Sequence, residues 1–444
     1  MTASIRRMSL ALTVMLLILA LITGYWQVPQ GAALSTRDDN PRLVLAEQQI
    51  PRGAILDRNG QPLAVSQSMS AGRDFARQAY VRYYPDRAAE PVVGYYSLRY
   101  GVGGAEAAFD GESRGIAGQT RLDAVMNKWL HRTPPGQPVR LTLDLAVQRA
   151  ADAALGDRPG AVVVLSVPEG EVIALVSHPN FDPNKLDDDW ERLRAEPASP
   201  LLNRATQGLY QPGAAFQTII LAEALSSGLV HLTDTVSLAG SPVAFDGATL
   251  RCATPPAGET LDAAFAAACP APFAALAEQI STQQMAQIMR RWKLDVAPTP
   301  FELPTHAAVF ASDSLTSPVS VRNLVLGQGS LTLSPLQMAT IAAIIANNGR
   351  PIDAPHLTVA PAPALPAPSI MPSQVARAIQ SASLIRDDLA GQAALAISGK
   401  SQIAWFTGFA PAQSPRWVIV VLLENGDAAT VSTIAARIRP KLAP

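Results

Sequence analysis

The chain has 444 residues, enough for two or three domains and a large core. Apolar residues make up 48% and charged ones 16%, with 35 basic residues against 36 acidic, so no field forms that would draw nucleic acid. Two cysteines, Cys252 and Cys269, without any CxxC or HExxH pattern, argue against a zinc ribbon or a metalloprotease centre, and neither metal nor cofactor is expected.

Arg6 and Arg7 precede an uncharged run from Met8 to Trp26, with Tyr25 and Trp26 at its far end. Residues 8–26 at 1.5 Å rise give about 28 Å, near the roughly 30 Å hydrocarbon thickness. The arginines predict a cytoplasmic tail over 1–7, a transmembrane helix over 8–26 and everything beyond about 30 outside. The alternative is a cleaved signal peptide, with Gly31-Ala32-Ala33 as small residues for cleavage. An oxidising exterior favours a Cys252–Cys269 disulfide over two buried thiols.

Residues 27–48 carry Gly, Pro and charge without period and read as a stalk. Ala54-Ile55-Leu56, Asp57-Arg58-Asn59-Gly60 and Pro62-Leu63-Ala64 read as strand, tight turn and returning strand. A first unit is expected over 49–137 and a second over 138–444. Strand signals fall at Val139–Asp144, Ala161–Leu165, Val172–Val176, Ile403–Phe409 and Trp417–Leu423. Helical spacing is found over Leu145–Leu155, Ala214–Ser227, Leu261–Ala267, Phe273–Arg291, Leu336–Ala346 and Ala428–Ile438. The acidic run Asp187-Asp188-Asp189 reads as a solvated loop, and the seven prolines of Pro351–Pro372 as an exposed, extended segment. Strands at both ends with helices between predict an α+β domain built on one antiparallel sheet.

Four blocks in order resemble class B penicillin-binding proteins, the peptidoglycan D,D-transpeptidases. They are Arg52–Ala64; Asn203-Arg204-Ala205 with Tyr210-Gln211-Pro212-Gly213; Gly327-Gln328-Gly329 with Ser334–Ala339; and Trp405–Pro411. The resemblance implies a pedestal followed by a penicillin-binding, serine β-lactamase-like transpeptidase domain, with about five antiparallel strands against helices. It also implies three cleft elements, Ser-x-x-Lys, Ser-x-Asn and Lys-Thr-Gly. A serine at a helix start and a lysine three residues on share one face, so an unprotonated lysine can take the hydroxyl proton.

At the first element this chain has Ala214-Ala215-Phe216-Gln217, with Ala214 for the nucleophile and Gln217 for the base. At the second, Ala268 and Pro270 hold the Ser and Asn positions. The third is read as Lys400-Ser401-Gln402, and Gln402 is expected to crowd the cleft. The gap from there to Trp405 is conspicuously short. None of the five lysines follows a Ser, Thr or Cys at three residues, and Ser177-His178 and His131 come with no GxSxG elbow. The resemblance therefore implies a degenerate, catalytically inactive homologue, a scaffold or regulator in peptidoglycan synthesis. Its expected partner is a multi-pass glycosyltransferase of the shape, elongation, division and sporulation class, or another cell-wall synthesis protein. The alternatives are an active transpeptidase with unrecognised residues, and a sensor that binds wall peptide or β-lactam without reacting.

Overall fold

The computed structural model describes residues 2–27, 47–69, 79–130, 134–296, 301–306, 310–352, 354–358, 368–386, 388–399 and 401–442. Most of the expected stalk lies outside these residues. Helix α1 covers Thr2–Gln27, and its stretch Ile5–Gln27 is long and apolar enough to cross a membrane.

A small sheet follows, from β1 (Ile55–Leu56), β2 (Pro62–Met69) and β3 (Ala79–Tyr83). The turn between β1 and β2 is fixed by Asp57. Its Oδ1 accepts from the Asn59 and Gln61 amides at 2.8 and 2.7 Å, which predisposes Asp-Arg-Asn-Gly to turn. Short helices α2 (Glu90–Val93), α3 (Ala105–Ala108) and α4 (Asp110–Ser113) surround the hairpin of β4 (Tyr95–Ser97) and β5 (Gly101–Gly103). Helix α5 (Arg121–Trp129) stands apart from this packing, and β6 (Val139–Arg140) returns to pair with β1 in parallel. The strand expected to open the second unit thus completes the first sheet, in the order β3-β2-β1-β6.

The main body begins with α6 (Leu145–Leu155), capped by Asp144, and the hairpin of β7 (Gly160–Ser166) and β8 (Val172–His178). The two units interlock. Asp57 Oδ2 accepts from Leu145 N at 3.2 Å, and Asn184 exchanges hydrogen bonds with the Tyr84 backbone at 2.9 and 3.0 Å. Helix α7 (Leu186–Ala195) carries Asp187, Asp188 and Asp189 in its first turn. The expected loop is therefore a helix start, where carboxylates face the positive end of the dipole.

The helical lobe holds α8 (Gln217–Ser226), the small hairpin of β9 (Val243–Phe245) and β10 (Ala248–Leu250), then α9 (Leu261–Ala266), α10 (Pro270–Ala277) and α11 (Thr282–Arg291). The single helix expected over Phe273–Arg291 is broken because Ser281 and Gln284 form a capping box, which starts a new helix. Helices α12 (Pro318–Val325), α13 (Pro335–Ala346) and α14 (Ser373–Ala382) follow. The chain closes with β11 (Leu384–Arg386), β12 (Leu389–Ser398), β13 (Ser401–Ala410), β14 (Trp417–Glu424) and α15 (Ala428–Ile438).

The principal sheet runs β11-β12-β13-β14-β7-β8, antiparallel throughout, six strands where about five were expected. Its centre joins early and late sequence, Trp417↔Ser166 to Leu423↔Gly160. Both faces are covered. Val162 and Val164 pack with α6 and α15, while Val163 and Leu165 pack with α13 and the lobe, which explains the unbroken apolar text of β7. The proline-rich run is not simply exposed: Leu357 and Met371 are buried, and His356 and Thr358 form bridges to Glu171 and Leu141. Its backbone is drawn in because Thr142 N donates to Leu357 O and Val172 N to His356 O.

Candidate functional site

The first element is a tight turn, Gly213–Phe216, running straight into α8. Gly213 has φ +53, and a Cβ there would lie 2.2 Å from Leu395 O. Gly327 presses from the other side, where a Cβ would lie 2.0 Å from Gly213 O. Only glycine fits either position, so the start of the helix is wedged between β12 and the 327–329 loop. Ala214 is buried at this start. Gln217 is wholly buried; its Nε2 donates to Cys269 O at 3.2 Å, and its Oε1 has no partner among the described residues.

The second element lies where α9 ends. Ala268 adopts φ +51 and is buried, Cys269 is bonded to Cys252, and Pro270 opens α10. The disulfide leaves Cys269 no free thiol.

The third element is where the sequence reading fails. Ser401 and Gln402 are exposed and open β13, just past the tip of the β12–β13 hairpin, with Ser398 opposite Ser401. Gln402 donates to Gly426 O at 2.9 Å and crowds nothing near Gln217. Lys400 lies outside the described residues. The strand against the first element is β12. Gln392 on it is buried and donates to Phe265 O, reaching the segment that carries the second element, and its Oε1 has no partner among the described residues. Further along β12, the Gln328 amide faces the Ile397 backbone; with its oxygen and nitrogen assigned to suit that backbone, it donates to Ile397 O at 3.0 Å and accepts from Ile397 N at 3.3 Å. The strand that borders the first two elements is therefore β12, and Ser401 and Gln402 lie beyond its end. The short gap between Lys400 and Trp405 was the signal: it leaves no room for a cleft strand and a returning partner. Ala-Gly-Gln-Ala-Ala-Leu-Ala is poor in β-branched residues, which hid β12.

The structure thus gathers Ala214, Gln217, Ala268, Pro270 and Gln392, all buried, with two amides that donate to neighbouring carbonyls. The blocks that carried the resemblance hold this place in shape. Arg204 Nε and the Tyr210 hydroxyl both donate to Glu424, at 2.9 and 2.8 Å. Burial, and then the Glu424 carboxylate, push the Tyr210 hydroxyl far above its ordinary pKa, so it stays a donor. Trp405 Nε1 donates to Gln211 O at 2.9 Å. Ser177 and His178 do not cooperate, since adjacent strand residues face opposite ways. The Ser177 hydroxyl donates to Leu202 O at 3.2 Å, while His178 pairs with Asp152 at 2.7 Å. His131 lies outside the described residues.

Residues 160–443 match the penicillin-binding protein transpeptidase domain, and residues 52–139 match the penicillin-binding protein A dimerisation domain. With well over half its length matched by the first, the chain belongs to the penicillin-binding transpeptidase family of cell-wall proteins. Peptidoglycan D,D-transpeptidase PbpA of Mycolicibacterium smegmatis is 31% identical over 487 residues, covering 99% of this chain and 97% of that protein. The Mycobacterium tuberculosis PbpA is also 31% identical, over 493 residues and the same shares. Penicillin-binding protein A from M. tuberculosis, solved as an imipenem acyl-enzyme complex, superposes with a TM-score of 0.76 at 28% identity, over 88% of this chain and 98% of that one.

Proposed function

We propose that this chain is a catalytically inactive penicillin-binding protein that serves as a scaffold or regulator of a peptidoglycan synthesis complex. One observation carries it: where the three cleft elements converge, the side chains are Ala214, Gln217, Ala268, Pro270 and Gln392, every one buried. Alanine has no nucleophilic atom, and an amide neither takes a proton from a hydroxyl nor lends a positive charge. Burial of all five also argues against an open peptide-binding cleft, and so against a non-covalent sensor. The scaffold residues around them, Arg204, Tyr210, Gln328 and Trp405, keep their bonds, so the fold itself is what is retained.

In this reading α1 spans the cytoplasmic membrane with Arg6 and Arg7 inside. Residues 49–137 form a pedestal, and 138–444 a transpeptidase-like domain outside. A multi-pass peptidoglycan glycosyltransferase, bound through α1 and the pedestal, is the proposed partner.

Fluorescent penicillin followed by a denaturing gel and intact mass tests the inactivity. Acylation needs an oxygen nucleophile and a base within hydrogen-bond reach, so no adduct is expected. Ala214→Ser alone is expected to stay unlabelled, because its hydroxyl would sit beside an amide. A stoichiometric adduct on the unmodified chain overturns the proposal, and mapping it names the nucleophile. The relatives named D,D-transpeptidases provide the positive control. For the partner, capture from membranes is expected to survive Lys400→Ala and to be lost when residues 49–137 are removed.

A further inference from the structure

Helix α5 presents an apolar face to solvent. Leu122, Val125, Met126, Trp129 and Leu130 recur at spacings of three and four and are all exposed; Trp129 is 84% and Leu122 67% exposed. At 100° per residue these five positions fall within one continuous arc of about 140°. Positions 121 and 128, an arginine and a lysine, fall together on one flank of that arc. The single acid of the helix, Asp123, is engaged by the Thr120 amide and hydroxyl at 3.0 and 2.6 Å.

The position of the helix in the fold points to its occupant. Residues 28–46 separate the end of α1 from Glu47, and fully extended they reach at most about 70 Å. Glu47, the first described residue after that tether, accepts from Arg114 at 2.8 Å, seven residues before α5. The excursion that carries α5 leaves and returns at one place: a Cβ on Gly115 would lie 2.2 Å from Pro135 O. Gly136 then packs against the backbone of Pro51 and Gly53. The tether therefore enters the folded part at the base of the α5 excursion.

We propose that α5 lies in the headgroup region of the same bilayer that α1 crosses, its apolar face toward the acyl chains. This rests on the reading of α1 as a membrane span. An apolar face with a tryptophan, on a helix whose sequence also carries an arginine and a lysine, has the composition of an interfacial helix. Held in the interface, α5 adds a second attachment to the tether and restrains the pedestal at the membrane.

The test uses the full chain reconstituted in vesicles of phosphatidylcholine and phosphatidylglycerol, with Trp26→Phe as background to remove the tryptophan of α1. Lipids brominated on their acyl chains quench tryptophans at the bilayer. The expected result is a quenched, blue-shifted emission component that Trp129→Phe abolishes. Equal quenching with and without Trp129, in chain that alkaline carbonate fails to extract, overturns this proposal and leaves the reading of α1 intact. Extraction by carbonate overturns both. Disulfide-linked dimers through Leu122→Cys, with Trp129 unquenched, overturn it as well and assign the face to a second copy.

Discussion

The pedestal and the converged elements both bury polar side chains, but in opposite ways. In the pedestal, Glu106 is wholly buried and takes two guanidinium groups, Arg52 at 3.2 Å and Arg82 at 2.5 Å. Arg52 also reaches Asp110 at 2.7 Å and lies 4.6 Å from the centre of the Tyr96 ring. Burial, and then the Glu106 charge, hold the Tyr84 hydroxyl well above its ordinary pKa, so it remains a donor to the carboxylate. Gln217 and Gln392 instead engage no ion pair among the described residues, and their amides donate to backbone carbonyls. A buried ion survives only with its partners, so an ionic network persists or disappears as a unit. In the pedestal the network is complete, while at the other site the buried groups are neutral ones that a closed interior tolerates.

That contrast is broken most sharply by Glu106→Ala, which takes the carboxylate from the buried Arg82 guanidinium and leaves Arg52 with Asp110. The expected loss is about 3–5 kcal/mol in denaturant unfolding of the detergent-solubilised chain. A loss under about 1 kcal/mol would mean that water enters the pedestal and solvates the guanidinium groups.

Gln217 gives a smaller, two-sided test. Gln217→Met removes an unpartnered Oε1 and one hydrogen bond, so a change within about 1 kcal/mol is expected. Gln217→Lys restores the family's residue but buries an ammonium without a counter-ion. Burial depresses the folded-state pKa of such a lysine, so the unfolded chain binds more protons and stability rises with pH. The lysine variant is expected to be less stable than the wild type at pH 7 and to close the gap at alkaline pH. Equal stability at both pH values would reveal a counter-charge near α8.

The smallest effect is expected at Glu90, buried on α2. Burial is the main cause holding its pKa well above the usual carboxylate value, with Arg87 opposing. The folded state then binds a proton that the unfolded state releases, so stability falls as pH rises above about 4.5, the ordinary glutamate value. Glu90→Gln is expected to flatten that slope and to raise stability at neutral pH. An unchanged slope would show that Glu90 is ionised in the folded chain.

Local text was enough for much of this molecule. The apolar run of α1, the β7 and β14 strands, the α15 face and the Asp57 turn each depend on a period or a turn residue within a few positions. That Ala214 and Gln217 share one side of a helix start was legible too, because residues three positions apart lie together there. What only the tertiary structure decided was the neighbour of that helix start. Lys400-Ser401-Gln402 reads as a cleft strand in one dimension, yet Ser401 pairs back with Ser398, and β12, with almost no strand signature of its own, lies against Gly213. Which strand borders which element is set by pairing between residues far apart in sequence, Gly213 with Leu395 and Gln392 with Phe265, and no local period encodes it.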